Sequence, residues 1–424
     1  MADTTKILAI AVVAVIAIGG ISAYLLIGDD EEVVKNYSGR LQVFGNADND
    51  DHIDSDDLKT FDEMRESNSW DKTKNPYADA NRNGVLDDED REIIQKLVNR
   101  ESCNISYING LGDVATVEYP IKTIAIAGTS IHPVINALGA ADLAKAKAGG
   151  TKSLNPVLDE PTFDLPSIGS SPYKIDKELL SKYDIDAVVT LYSSTYDQVE
   201  TALAGTPVQC VRIDPESTDS SLNTYLLMGF LLQKTERADI IVGFYDKYNK
   251  IIADKVAKIE DKKTSITMYS YSMCGTKYYL TENSVSAGTI NLSDFEKNTQ
   301  SMKDDMGAWA AVPKYQADYI IQYEGMSLRN DDAANKVDKY MAYGQYAAKM
   351  DAYPEHYFVV NKNMHDIARI AFTAGVIYEE EFGLDFAYDL YQELIEVFYP
   401  YATDYDVRVD TTCVVTYDMV KDKI

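Results

Sequence analysis

From about Tyr119 onward, short apolar runs alternate with stretches of helical periodicity. Lys122-Thr-Ile-Ala-Ile-Ala127, Asp186-Ala-Val-Val-Thr-Leu-Tyr192 and Pro207-Val-Gln-Cys-Val-Arg-Ile213 lack polar alternation, so each reads as a strand covered on both faces. Helical patterns lie between them, through Val134, Ile135 and Leu138 and over 176–183. A second series follows in Ser265-Ile-Thr-Met-Tyr269, Ala317-Asp-Tyr-Ile-Ile-Gln-Tyr323 and His356-Tyr-Phe-Val-Val-Asn361. Such alternation specifies parallel sheets with helices on both faces. Two series in 424 residues give two Rossmann-like α/β lobes. Between them, residues 236–259 place Ile240, Ile241, Phe244, Tyr248, Ile251, Ile252 and Ile259 at helical spacing. About 24 residues at ~1.5 Å each give a rod of roughly 36 Å, long enough to brace both lobes.

Val117-Glu-Tyr-Pro-Ile-Lys-Thr-Ile124, Ala137-Leu-Gly-Ala140, Ile168-Gly169, Tyr183-Asp-Ile-Asp-Ala-Val188 and Gly205-Thr-Pro-Val208 occur in that order. Together they resemble the amino-terminal lobe of ABC-importer substrate-binding proteins for iron chelates and cobalamin. The long helix, Gly288-Thr-Ile-Asn291, Lys314-Tyr-Gln-Ala-Asp-Tyr-Ile-Ile321 and the helical pattern through Leu394, Phe398 and Tyr399 extend the resemblance over about 119–400. The resemblance implies the helical-backbone fold, an interlobe cleft that closes only slightly, and delivery of cargo to a membrane permease. The cargo it implies is an iron chelate (siderophore or haem) or a corrinoid.

Ligands of open α/β sheets sit beyond the carboxyl ends of the strands. That rule nominates Ser130 and His132 after the first strand, and Tyr192, Ser193 and Tyr196 after the second. The second lobe offers Tyr269, Tyr271 and Tyr323, with Arg329 as a partner for an anionic chelate. Tyrosine, present 31 times, combines an apolar ring with a hard oxygen donor.

Ahead of the lobes, two acidic stretches repeat 33 residues apart. Asn46, Asp48, Asp50, His52, Asp54 and Asp57 occupy positions 1, 3, 5, 7, 9 and 12 of the first, and Asp79, Asn81, Asn83, Val85, Asp87 and Asp90 those of the second. Side-chain oxygens at 1, 3, 5, 9 and 12 with a backbone carbonyl at 7 are what an EF-type loop offers Ca²⁺. Apolar Ile53 and Leu86 at position 8 suit packing of one loop on the other, and a helical pattern follows each loop. The expected cofactor is therefore calcium at two sites. Residues 42–99 resemble a dockerin module, which implies a cohesin-like partner. Asp51 stands at position 6 where glycine makes the sharp turn, and Asn46 removes a charge from position 1, so the first site is expected to be the weaker.

An uncharged apolar run over 7–28 follows Lys6. It is long enough to cross a bilayer and longer than the apolar core of a cleaved signal peptide, so an uncleaved single-pass anchor is the first reading and a cleaved signal the second, either with the bulk of the chain extracytoplasmic. The division that follows is a membrane segment (7–28), an acidic linker (29–41), the calcium module (42–100), the amino-terminal lobe (119–220), the bracing helix (221–261) and the carboxy-terminal lobe (262–424). Forty basic against 68 acidic residues give a net charge of −28, which excludes a general nucleic-acid binder. Four scattered cysteines form no CxxC pair. Gly149-Gly-Thr-Lys-Ser153 is not a P-loop, and GxSxG, HExxH and GxGxxG are absent, so the chemistry points to binding and not to an enzyme. The alternative function is a cell-surface scaffold or interaction protein assembled through its dockerin-like module.

Overall fold

A computed structural model describes residues 39–150, 154–217, 220–296, 299–301, 313–326, 333–348 and 350–424. The 7–28 run, nearly all of the acidic linker and Arg329 lie outside these residues. Among the described residues no helix is long and apolar enough to cross a membrane.

All six expected strands form. In the first lobe Ala144–Lys147, Ile124–Ala127, Ala187–Leu191 and Gln209–Ile213 make, in that order, an all-parallel sheet. In the second, Thr264–Tyr269, Tyr319–Glu324 and Tyr357–Asn361 run parallel at the centre. Antiparallel strands extend that sheet at both edges, Val414–Thr416 on one side and Ser272–Cys274 with Thr299–Ser301 on the other. Ala187–Leu191 and Tyr357–Asn361 are buried along their whole length, as their unbroken apolar runs require. One device starts both sheets. Asp186, just before its strand, accepts from the N–H groups of Lys122 (3.0 Å) and Thr123 (2.9 Å). Asp318 does the same for the Thr264 N–H (2.8 Å) and hydroxyl (2.8 Å).

The bracing helix is continuous over Thr235–Val256, 22 residues or about 33 Å. It packs against Ser221–Leu231, Asp366–Ile377 and Gly383–Phe398, and so forms the middle of a helical layer shared by both lobes. Ile240, placed on the apolar stripe by spacing, is instead 53% exposed, because the stripe that meets the neighbouring helices runs through Ile241, Phe244, Tyr245 and Tyr248. Asp366 fixes the layer from within: its carboxylate accepts from the Tyr245 hydroxyl (2.6 Å) and the Ser221 hydroxyl (3.1 Å).

The module ahead of the lobes has two helices, Ser55–Ser67 and Asp88–Val98, started by capping boxes on Asp54 and Asp87. Phe61, Met64, Ala78 and Ile94 form its own small core. It does not stand apart, since Leu41, Val43 and Leu97 belong to the main core and Val43 bridges to Tyr107. Tyr107 lies in an antiparallel hairpin, Cys103–Ile108 with Val114–Tyr119, that the strand-and-helix pattern did not reveal. The two position-8 residues also part company. Leu86 packs inside the module, whereas Ile53 packs on the main core, so the loops are not paired through these side chains.

Removing the Tyr245 hydroxyl (Tyr245→Phe) leaves half of a buried carboxylate unpaired. It should lower the unfolding free energy by about 2 kcal/mol, read as a lower urea midpoint at unchanged slope.

Candidate functional site

The carboxyl ends of the strands from both lobes open onto one cleft. Thr129 and Ser130 follow the first strand of the amino-terminal lobe, Tyr192 and Ser193 the next, and Asp214 to Glu216 the edge strand. Facing them, Tyr269, Glu324 and Lys362 end or follow the three central strands of the other lobe. Between the lobes lies a cavity of about 110 Å³ whose lining includes Ser130, Glu216, Tyr279, Lys362, His365 and Arg369.

Ser130 donates to the Glu216 carboxylate (2.6 Å). Asp214 shapes the Glu216 turn, accepting from the backbone N–H of Glu216 (3.1 Å) and Ser217 (3.2 Å) and from the Ser220 hydroxyl (2.8 Å). Burial pushes Asp214 up to about 6. Arg369 donates to Asn283 Oδ1 (2.6 Å), to the carbonyls of Lys362 (3.1 Å) and Met364 (2.6 Å), and across the cleft to the carbonyl of Glu216 (3.2 Å). Four tyrosines, 192, 196, 278 and 279, feel the Glu216 carboxylate. Burial, reinforced by that charge, raises all four; Tyr196 reaches about 12. Their hydroxyls therefore stay protonated at neutral pH, and of the four Tyr279 lines the cavity. Lys362 Nζ sits 4.9 Å over the Tyr269 ring, which lies 6.4 Å from that of Tyr278.

The sequence-derived residues divide accordingly. Ser130 lines the cavity, whereas Tyr192, Ser193, Tyr196 and Tyr269 lie at or just past the ends of their strands and outside its lining. Tyr271 lies past the turn at the end of its strand, 40% exposed, with its ring 6.3 Å from Tyr346. Tyr323 turns the other way. It is fully buried, and its hydroxyl lies 2.9 Å from Thr373, because alternation along the strand sends it to the helix-covered face. His132 points into the lobe, its Nδ1 2.8 Å from the Thr162 hydroxyl, and so forms no Ser–His pair with Ser130. Glu216, Tyr279, Lys362 and Arg369 were not singled out. Glu216 and Lys362 obey the same strand-end rule; Arg369, inside a helix, carries no sequence signal.

A larger hollow of about 830 Å³, along Tyr173, Lys174 and Gln198, is wide open to solvent on the first lobe and has no wall from the second.

The two acidic loops share one hydrogen-bond ladder. In the first, Asp48 accepts from the N–H of Asp50 (3.2 Å), Asp50 from His52 (2.7 Å), Asp54 from Asp56 (2.8 Å), and Asp57 from Asp48 (3.4 Å) and Asp54 (2.7 Å). In the second, Asn81 accepts from Asn83 (2.9 Å), Asn83 from Val85 (3.0 Å), Asp87 from Glu89 (2.9 Å), and Asp90 from Asn81 (2.9 Å) and Asp87 (2.9 Å). Position 4 is left-handed in both, Asn49 at φ 62° and Arg82 at φ 63°. They differ at positions 1 and 6. Asp79 accepts from the N–H of Asn83 (3.0 Å) and Gly84 (2.7 Å), with Gly84 at φ 94°. Asn46 instead donates its Nδ2 across the loop to the Asp50 carbonyl (2.8 Å), and its buried Oδ1 has no protein partner. Burial pushes Asp57 up to about 7. Among the described residues no three His, Cys, Asp or Glu side chains converge as a ready ligand set. What the loops offer a cation is a mixture of carboxylate, amide and main-chain oxygens, which suits Ca²⁺.

No family model and no curated protein matches the chain. Solved structures do. The TroA-like periplasmic binding protein FepB from Veillonella parvula superposes with a TM-score of 0.54 at 14% identity, over 73% of this chain and 98% of its own. CeuE from Helicobacter pylori, solved as a Ni-His complex, gives 0.54 at 12% identity, over 71% and 96%. A periplasmic solute-binding protein from V. parvula gives 0.50 at 15%, over 70% and 94%.

Burial holds His132 neutral down to about 3, whereas the unfolded chain protonates it near 6.5. The stability this difference supplies is complete above 6.5 and is lost as the pH falls toward 3. His132→Gln should therefore lose about 1.4 kcal/mol less than the parent per pH unit between 6 and 4, measured by urea unfolding. The two lobes, the rod that joins them and the cleft between strand ends make this the fold of a periplasmic solute-binding protein.

Proposed function

We propose that the chain is the extracytoplasmic solute-binding component of an ABC importer, capturing an iron chelate (siderophore or haem) or a corrinoid between its lobes and passing it to a membrane permease. The observation that carries this reading is the meeting of strand ends from two separate sheets on one polar, tyrosine-rich cavity braced by a single helix. At about 110 Å³ the cavity is below the several hundred Å³ of small-molecule pockets, so cargo enters only as the lobes part. The contacts that join the two lobes around it include Arg369 to the Glu216 carbonyl (3.2 Å), Ser217 to Glu282 (3.5 Å), Tyr401 to the Leu158 carbonyl (2.5 Å) and Asn155 to Tyr405 (3.1 Å). Ligand bound to both lobes then favours the closed population. Intrinsic tyrosine fluorescence should report saturable micromolar binding of a ferric chelate, haem or cobalamin, weakened at least tenfold by Glu216→Ala. Silence toward all three would sink this reading in favour of a surface scaffold assembled through the amino-terminal module.

In that module we propose two calcium sites, supported by the shared ladder and the unpartnered Asn46 oxygen. Asn46, Asp48, Asp50, Asp54 and Asp57 with the His52 carbonyl would hold one ion. Asp79, Asn81, Asn83, Asp87 and Asp90 with the Val85 carbonyl would hold the other. Bound calcium would neutralise buried carboxylates and fix the loops. At a hundred times its dissociation constant it would add about 2.7 kcal/mol per site. Millimolar calcium should raise the melting temperature, EGTA should reverse the rise, and Asp57→Ala with Asp90→Ala should abolish it.

A further inference from the structure

The cations at the cleft are already committed to the protein. Arg369, 4% exposed, gives four of its five N–H groups to Asn283 Oδ1 and to the carbonyls of Lys362, Met364 and Glu216. Its guanidinium also lies 5.6 Å over the Tyr279 ring, and its charge acts on Asp366. Arg212, 2% exposed, ties down the carbonyls of Leu191, Tyr192 and Ser193 and pairs with Asp197 (2.7 Å) and Glu200 (3.5 Å). Neither guanidinium is left to grip an anionic group of a cargo. Lys362 holds its ammonium 4.9 Å over the Tyr269 ring, and its charge acts on Glu324 at the end of the neighbouring strand.

Glu216 is in the opposite condition. It is half-buried, lines the cavity and takes one hydrogen bond, from the Ser130 hydroxyl at 2.6 Å. Among the described residues no Lys, Arg or His side chain pairs with it. Two further carboxylates deepen its potential. Asp214 accepts from the Glu216 N–H, and Glu282 of the other lobe meets Ser217 at 3.5 Å. All three carboxylates act on the Tyr192 hydroxyl, so the field comes from both lobes at once.

We infer that the cleft sorts its cargo by charge, with Glu216 as the specificity-determining residue: it takes a chelate with a cationic group, accepts a neutral one less tightly and rejects an anionic one. This inference rests on the solute-binding reading above. An anion drawn into the closing cleft gives up its water, finds both arginines engaged and lies against a carboxylate. A cationic group gives up its water in exchange for a charge-assisted contact with Glu216, in surroundings where that contact is stronger than in water.

Three ferric chelates of graded charge, followed by tyrosine fluorescence of the full chain, test the rule. They are ferrioxamine B, which carries a free ammonium, its N-acetylated neutral form, and a trianionic ferric tris-catecholate. Binding should weaken in that order, with the first two roughly tenfold apart, the scale of one hydrogen bond to a charged group. Cationic aquacobalamin against neutral cyanocobalamin, and haem dimethyl ester against haem, extend the comparison to the other cargo classes. Glu216→Gln, which keeps the side chain's shape and can still accept from Ser130, should bring the cationic and neutral forms level. Equal or tighter binding of the more negative member of a set, or a preference that Glu216→Gln leaves intact, would overturn the charge rule and leave solute binding standing. Failure of the unaltered chain to bind any of these probes would overturn both.

Discussion

A buried knot of two charged side chains from one helix, Asp366 and Arg369, decides how the halves of this protein sit together. Asp366 takes hydroxyls from the bracing helix and from the start of Ser221–Leu231. One turn on, Arg369 spends its guanidinium on an amide and three backbone carbonyls, one of them in the opposite lobe. Neither group could be left bare in the interior without a cost of several kcal/mol, so each enforces the geometry of its partners. The cleft floor is thus set by polar satisfaction, while the layer behind it is set by apolar packing of Phe244, Tyr248 and Phe398.

Much of the architecture was legible because doubly covered strands leave an unmistakable mark. Val188, Val189, Val359 and Val360 have no polar face to show, and each lies where its run predicted. The hairpin over 103–119 left a weaker mark, since its alternating Cys-Asn-Ile-Ser-Tyr-Ile pattern is short and half exposed. Within the cleft, chain position is readable and side-chain direction is not. Tyr323 and Glu324 are adjacent at a strand end, yet period-two alternation buries the tyrosine in a hydroxyl network with Thr373 and Ser284. His132 was lost to the lobe interior in the same way, one residue into a helix whose inner face claims it.

The acidic repeat shows how far duplication extends. Two segments separated by 33 residues reach the same ladder and the same left-handed fourth residue despite differing at nine of their twelve positions. Their surroundings are nonetheless unlike. Asp51 avoids the left-handed turn that Gly84 makes and is held by Arg40, which in turn reaches Asp246 of the bracing helix. Sequence identified the loops; only packing shows that the first touches the bracing helix through His52 while Leu86 of the second packs within the module.

Residues 399–411 carry a consequence for biogenesis. Leaving Gly383–Phe398, the chain crosses back to the first lobe, where the Tyr401 hydroxyl reaches the Leu158 carbonyl and the Tyr405 hydroxyl receives Asn155. A lobe whose strands are translated early is therefore sealed by a strap translated some two hundred residues later. Until that strap emerges, the Leu158 edge and the apolar back of the helical layer stay wet, and a nascent chain is a natural client for holding chaperones.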